Sequence, residues 1–83
     1  MESARPHISE AELAVLKVLW EKGPAAVRSV MNVLQARGRR WKYPTVLTFL
    51  RRLESKGYAR VNRATLAHLF CASVSQAELL QQQ

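Results

Sequence analysis

Eighty-three residues allow one domain, and a domain this small buries only about 60% of its unfolded surface, so its core must be economical. Apolar residues make up 48% of the chain, which excludes disorder, and a formal charge of +7 selects an acidic partner, nucleic acid before anionic membrane. One cysteine, Cys71, excludes a disulfide framework or a cysteine metal cluster and fits a reducing compartment; with no signal-peptide core and no apolar run of roughly 20 residues, the chain is expected in the cytoplasm.

Residues 1–7 are polar and read as a flexible arm. Ser9 to Glu12 is an S-x-x-E capping box, with Ile8 and Leu13 placed as a hydrophobic staple. Leu13, Leu16, Leu19 and Trp20 then share one helical face, and Gly23-Pro24 ends the first helix. A second helix is expected over Val27–Arg37. Val27, Val30, Met31 and Leu34 form its inner stripe, while Arg28, Asn32 and Gln35 face outward. Ala25 and Ala26 are poor caps, so a short strand is an alternative there. Gly38 closes this helix, and Arg39-Arg40-Trp41-Lys42 forms a basic loop.

The third helix is expected over 44–56, with Pro44 at its first position. Val46, Phe49, Leu50 and Leu53 face the core. Pro44, Thr48, Arg51 and Ser55 face away, with Thr45 and Arg52 on the flank. Gly57 ends it. Two β-like segments, Tyr58–Asn62 and Leu66–Ala72, flank Arg63-Ala64-Thr65 and read as a two-stranded wing. Ser75 to Glu78 is a second capping box, with Val74 and Leu79 as its staple, and opens a fourth helix. Residues 81–83 are a polar end. The fold class is α+β, mostly α: a winged helix-turn-helix domain over 8–80.

Nine of the thirteen basic residues lie between Arg37 and Arg63 beside one acid, Glu54. That window carries a formal +8 and contains the third helix. A positive field around an amphipathic helix suits double-stranded DNA: the field draws in phosphates, and the polar face reads base edges. Thr45, Leu47, Thr48, Arg51 and Arg52 are the candidate base readers. Arginine can grip a guanine edge bidentately, and threonine offers a hydroxyl and a methyl. Leu47 lacks an obvious core partner, so it is either a rim contact or an apolar probe of a thymine methyl. Arg39, Arg40 and Lys42 in the loop, and Arg63 at the wing tip, are candidate phosphate contacts. Strand alternation could turn Arg60 away.

Trp20 reads as core and Cys71 as a small buried hydrophobe. Trp41 either packs on the second helix or stacks beside the DNA backbone. The two histidines, His7 and His68, have no metal-site spacing. The chain has no aspartate, no glycine-rich phosphate loop and no catalytic constellation, so neither an enzyme nor a cofactor is expected. The rival reading is a winged-helix protein-interaction module.

The ordered motifs carry a resemblance. Ile8-Ser9-Glu10-Ala11-Glu12-Leu13 leading to Val18-Leu19-Trp20, then Gly23-Pro24 and Val27-Arg28-Ser29-Val30, resemble the opening of the BlaI/MecI-type penicillinase repressor family. Thr45 through Tyr58 is similar to its recognition helix and turn into the wing, and Val74 through Leu79 to its exit. The resemblance covers about residues 8–80. It implies a dimeric repressor of palindromic operators, in which an N-terminal winged helix binds DNA and a helical C-terminal extension forms the dimer. Some members control β-lactamase genes and are released by proteolysis in that extension. Three departures matter. No such extension follows in these 83 residues, so the chain is expected to be monomeric, a homodimer only with a longer extension. Pro44 stands where the family usually has a hydroxyl or polar residue. The cysteine-rich tail of the copper-responsive members is missing.

Overall fold

The computed structural model describes residues 6–64 and 66–81. The chain runs α1 (Glu10–Lys22), α2 (Val27–Ala36), α3 (Tyr43–Ser55), β1 (Ala59–Asn62), β2 (Leu69–Ala72) and α4 (Gln76–Gln81), the order of a winged helix-turn-helix. Most of the expected arm, residues 1–5, and the end of the polar tail, 82–83, lie outside the described residues, as does Thr65 of the expected wing turn. The backbone of Pro6 and His7 is tied down: the Tyr58 hydroxyl donates to the Pro6 carbonyl and Lys56 Nζ to that of His7.

α1 opens on the expected capping box. Glu12 N–H donates to Ser9 Oγ at 3.1 Å, and Ser9 N–H to Glu12 Oε1 at 3.0 Å. Its buried face is wider than the Leu13–Trp20 stripe predicts. Val15, Leu16, Val18 and Leu19 are all buried, whereas Leu13 and Trp20 are half-buried. The reason is that α1 packs against α2, α3 and β2 at once, so one stripe cannot serve it. Trp20 is a boundary residue rather than core. Its Nε1–H needs an acceptor and donates to the Val74 carbonyl at 2.8 Å, pinning the chain that leaves the wing.

α2 stops one residue short of the expected Arg37, because Gly38, at φ 90°, takes the left-handed turn and Arg39 N–H closes back on the Leu34 carbonyl at 2.9 Å. α3 buries Val46, Leu50 and Leu53 completely. Phe49, expected in the core, lies at its rim against the ring of Trp41, centroids 4.9 Å apart.

The wing is an antiparallel pair in which Ala59 faces Ala72 and Arg60 faces Cys71. Both strands are shorter than expected. Tyr58 turns its ring into the core before β1, and Leu66 to His68 form a loop instead of pairing. The alternative of a short strand at Ala25-Ala26 is realised as one residue pair: Ala25 and Phe70 exchange backbone hydrogen bonds at 2.9 and 2.8 Å. Cys71 is half-buried on the outer face of the wing, not a core residue. The second capping box forms at Ser75 and Glu78, with Val74 and Leu79 buried beneath it.

Glu12 is the one buried charged residue among those described, 2% exposed. Besides capping α1 it accepts from Lys56 Nζ at 2.7 Å, which joins the start of α1 to the end of α3. Burial pushes its carboxyl up, but the Lys56 ammonium and the Ser9 N–H and hydroxyl outweigh burial, and the net shift is downward. A depressed carboxyl stabilises the fold fully above its unfolded value, about 4.3, and loses that contribution as pH falls through the folded value. Thermal melts should therefore show stability falling on acidification below about pH 5, less steeply in Glu12→Gln. Glu12→Ala should cost about 2–3 kcal/mol at neutral pH, since it removes a cap and strands Lys56. An unchanged melting temperature for Glu12→Ala would refute this role.

Candidate nucleic-acid interface

The outward face of α3 is set by what its inner face buries. With Val46, Leu50 and Leu53 in the core, helical geometry leaves Thr45, Thr48, Arg51 and Arg52 exposed. Thr48 Oγ1–H is spent on the Pro44 carbonyl at 2.9 Å, which leaves its oxygen as acceptor and its methyl free for contact. Leu47 is half-buried against the core and forms part of the floor of a groove.

That groove, about 500 Å³, runs between α3 and the wing. Arg51 and Tyr43 of α3, Arg28 of α2, and Arg63, Leu66 and His68 of the wing loop border it. Arg28 and Tyr43 are contributions that sequence reasoning missed. Arg28 lies well outside the +8 window, and only the packing of α2 on α3 brings it to Tyr43, with its guanidinium 5.9 Å from the ring centroid. The available signal was Tyr43 itself, an aromatic between a basic loop and a proline, with no core position to fill.

The candidate phosphate contacts are dispersed. Arg40 and Lys42 are exposed, and neither is in an ion pair among the described residues. Arg39 is engaged elsewhere: it pairs with Glu10 of α1 and lies 5.0 Å from the centroid of the Trp41 ring. The Arg39 hydrogen bond and charge hold the Glu10 carboxyl below its ordinary value. Trp41 thus sits between Phe49 of α3 and Arg39, and its carbonyl accepts from Gln35 Nε2 of α2 at 3.4 Å. Arg63, 59% exposed, reaches Glu54 at 3.5 Å and still borders the groove. Arg60 is turned to the opposite face of the wing, beside Pro24 and Cys71, as alternation allowed.

The helix starts differ in a way that matters for anions. α1 and α4 each have a capping box, whereas α2 and α3 begin at Ala26 and Lys42 with no side-chain cap. The first-turn N–H groups of the two middle helices thus have no partner from the cap side chain. No described helix is long and apolar enough to cross a membrane.

The family model described as penicillinase repressor matches residues 8–83. The chain belongs to the penicillinase repressor family. Two solved structures agree with that membership and with the fold. The DNA-binding domain of the repressor BlaI, solved in solution, is 26% identical, with 93% of each chain covered and a TM-score of 0.75. Bacillus licheniformis BlaI, in its monomeric form in complex with the blaP half-operator, is 27% identical, with 89% of each chain covered and a TM-score of 0.72. No curated protein matches the chain. As a member of this family the chain is a winged-helix DNA-binding repressor domain, not an enzyme.

Proposed function

We propose that this domain represses transcription by placing α3 in the major groove of an operator half-site. The observation that carries the reading is the Thr45, Thr48, Arg51, Arg52 face, bordered on one groove by Arg28 and Arg63. Thr45, Thr48, Arg51 and Arg52 meet base edges, and Leu47 supports them from the groove floor. Arg40, Lys42, Arg63 and Arg28 hold phosphates, joined by the uncapped N–H groups of α2 and α3, which favour anions. The working unit is residues 8–80, acting in the cytoplasm where its DNA lies. The half-operator complex of the similar BlaI monomer supports binding to one half of a palindrome. Selection of bound sequences from random duplex DNA tests the reading. Failure to enrich any sequence would overturn it and favour the protein-interaction alternative.

Affinity should be strongly electrostatic. About four phosphate contacts imply that log K falls with log salt at a slope of about −3 to −4. Titrations at several salt concentrations check this, and a slope near zero would remove the phosphate clamp.

Reading and holding should separate by mutation. Arg51→Ala or Thr48→Ala should flatten the preference matrix at one or two positions, each worth about 1–3 kcal/mol of discrimination for arginine. Arg40→Ala or Arg63→Ala should weaken every sequence alike. Arg39→Ala should weaken binding less than Arg40→Ala, because Arg39 is already paired with Glu10. An unchanged matrix for Arg51→Ala would take α3 out of the major groove.

The 83-residue chain should be monomeric at micromolar concentration. Tyr43 and Leu66 are the only large hydrophobics exposed among the described residues, and both border the DNA groove, so the described surface offers no apolar two-fold patch. A monomer lacks the avidity of linked sites, commonly about 10² to 10⁴. A half-site and a full palindrome should therefore bind about equally per site. Sedimentation equilibrium and paired titrations test this, and a far tighter palindrome would reveal an interface on another surface.

A further inference from the structure

The groove between α3 and the wing has a floor that phosphate binding does not explain. Val27 and Phe70 are buried at its base, Leu47 is half-buried, and Tyr43 stands exposed at its edge. The floor is built in. Ala25 and Phe70 exchange backbone hydrogen bonds at 2.9 and 2.8 Å, which tie β2 to the entry of α2. Around this apolar base stand Arg28, Arg51 and Arg63, and no acid among the described residues lines the groove. Arg28 and Arg51 form no ion pair among those residues, and Arg63 reaches Glu54 only at 3.5 Å. The uncapped start of α2 at Ala26 opens on the same groove.

The two halves of the recess together select an occupant. Phosphate oxygens use the guanidinium groups but gain nothing from a leucine and a phenylalanine. A wholly apolar ligand uses the floor but strips water from cations that it cannot pair. A small molecule with a flat apolar body and one carboxylate satisfies both. Guanidinium grips a carboxylate bidentately, and a helix N-terminus favours the same charge. An aromatic body packs on Leu47 and Phe70 beside the Tyr43 ring. The volume, about 500 Å³, lies within the roughly 300–1,000 Å³ of small-molecule sites.

We propose that this groove is a site for a small aromatic carboxylate, and that filling it releases the domain from DNA. The carboxylate pairs with Arg28 at the start of α2, and the ring lies on Leu47 and Phe70. The ligand occupies Arg28 and the flank of α3 that a duplex needs, so the two compete. The release rests on the DNA-binding reading above; the site itself does not.

The probe is β-naphthoate, titrated into the isotope-labelled 83-residue chain at constant ionic strength. The backbone amides of Val27, Arg28, Leu47 and Phe70 should shift saturably with a single Kd. β-Naphthamide, which keeps the body without the charge, and acetate, which keeps the charge without the body, should each bind at least about tenfold more weakly. Arg28→Met keeps the apolar stem of an exposed side chain, so the thermal melt should hold while the naphthoate Kd rises about tenfold. Arg60→Met, which removes the same charge from the opposite face of the wing, should leave that Kd unchanged. Equal binding of naphthoate and naphthamide overturns the site, and so do shifts centred away from the groove. The second arm titrates a duplex recovered by random selection. With naphthoate at ten times its Kd, the apparent Kd for that duplex should rise about tenfold, and acetate at the same concentration should not raise it. Unaltered DNA affinity with the groove filled overturns the release. If the chain binds no duplex, the DNA reading fails and the release with it, whereas the ligand site is still decided by the amide shifts.

Discussion

One carboxylate organises the frame on which the interface stands. Glu12 caps α1 through Ser9 and accepts from Lys56 just past α3, and the same ammonium donates to the His7 carbonyl at 2.8 Å. A buried charge is costly unless it is paired and hydrogen-bonded, and here the carboxylate accepts from Ser9 N–H close by and from Lys56, 44 positions away. Satisfying Glu12 thus fixes where α3 ends relative to where α1 begins. With Val46, Leu50 and Leu53 keyed into the core beneath, α3 retains little freedom to roll. A reading helix needs this, because a rotation by one residue, about 100°, would replace Thr48 and Arg51 with core leucines on the outer face.

The same helix α1 narrows the positive field. Its three acids, Glu10, Glu12 and Glu21, pair with Arg39, Lys56 and Arg37, all from the +8 window. Arg60 is turned to the outer face of the wing. The cations left facing the groove side are fewer than the window implies, and they are joined by Arg28 from outside it. Exposed pairs such as Arg39–Glu10 contribute little to stability. Their effect is on the shape of the field: three cations of the window are matched by acids of α1, and Arg28, Arg51 and Arg63 are left to border the groove between α3 and the wing. A field with one strong face orients the duplex before contact, which a uniformly basic domain would not do.

Much of this was legible in the residues. Capping boxes at Ser9 and Ser75, stops at Gly23, Gly38 and Gly57, and the apolar stripe of α3 depend on local spacing, and each landed within a residue or two. What failed depends on tertiary surroundings. Val15 and Val18 were passed over because periodicity finds one face, and α1 is covered from three directions. Phe49 and Trp20 looked like core by type, but both sit where the core meets solvent. The second strand was drawn too long because Leu66-Ala67-His68 alternates no worse than a strand, and nothing local shows that its partners are missing. In the interface, the α3 face was legible from helical phase alone. Arg28 was not, since only the packing of α2 on α3 brings it to the groove, and the Arg39–Glu10 pair spans 29 positions, which no local pattern shows.

The distribution of caps along the chain separates holding from reading. α1 and α4 close their own N-termini with side chains from their own sequence, and neither borders the groove between α3 and the wing. α2 and α3 start at Ala26 and Lys42 without such closure, although a serine or aspartate at either position would stabilise the isolated domain by about 1 kcal/mol. Forgoing that stabilisation makes physical sense where phosphate oxygens can serve as the acceptors. A carboxylate cap would repel the DNA, and a hydroxyl cap would compete for the same N–H groups. The cost falls on a fold whose remaining ends are well closed: Trp20 ties the wing exit to α1, and Ala25 ties β2 to the entry of α2. Stability is thus concentrated at the back of the domain, and its front is left with unmet hydrogen-bonding and charge that a duplex can satisfy.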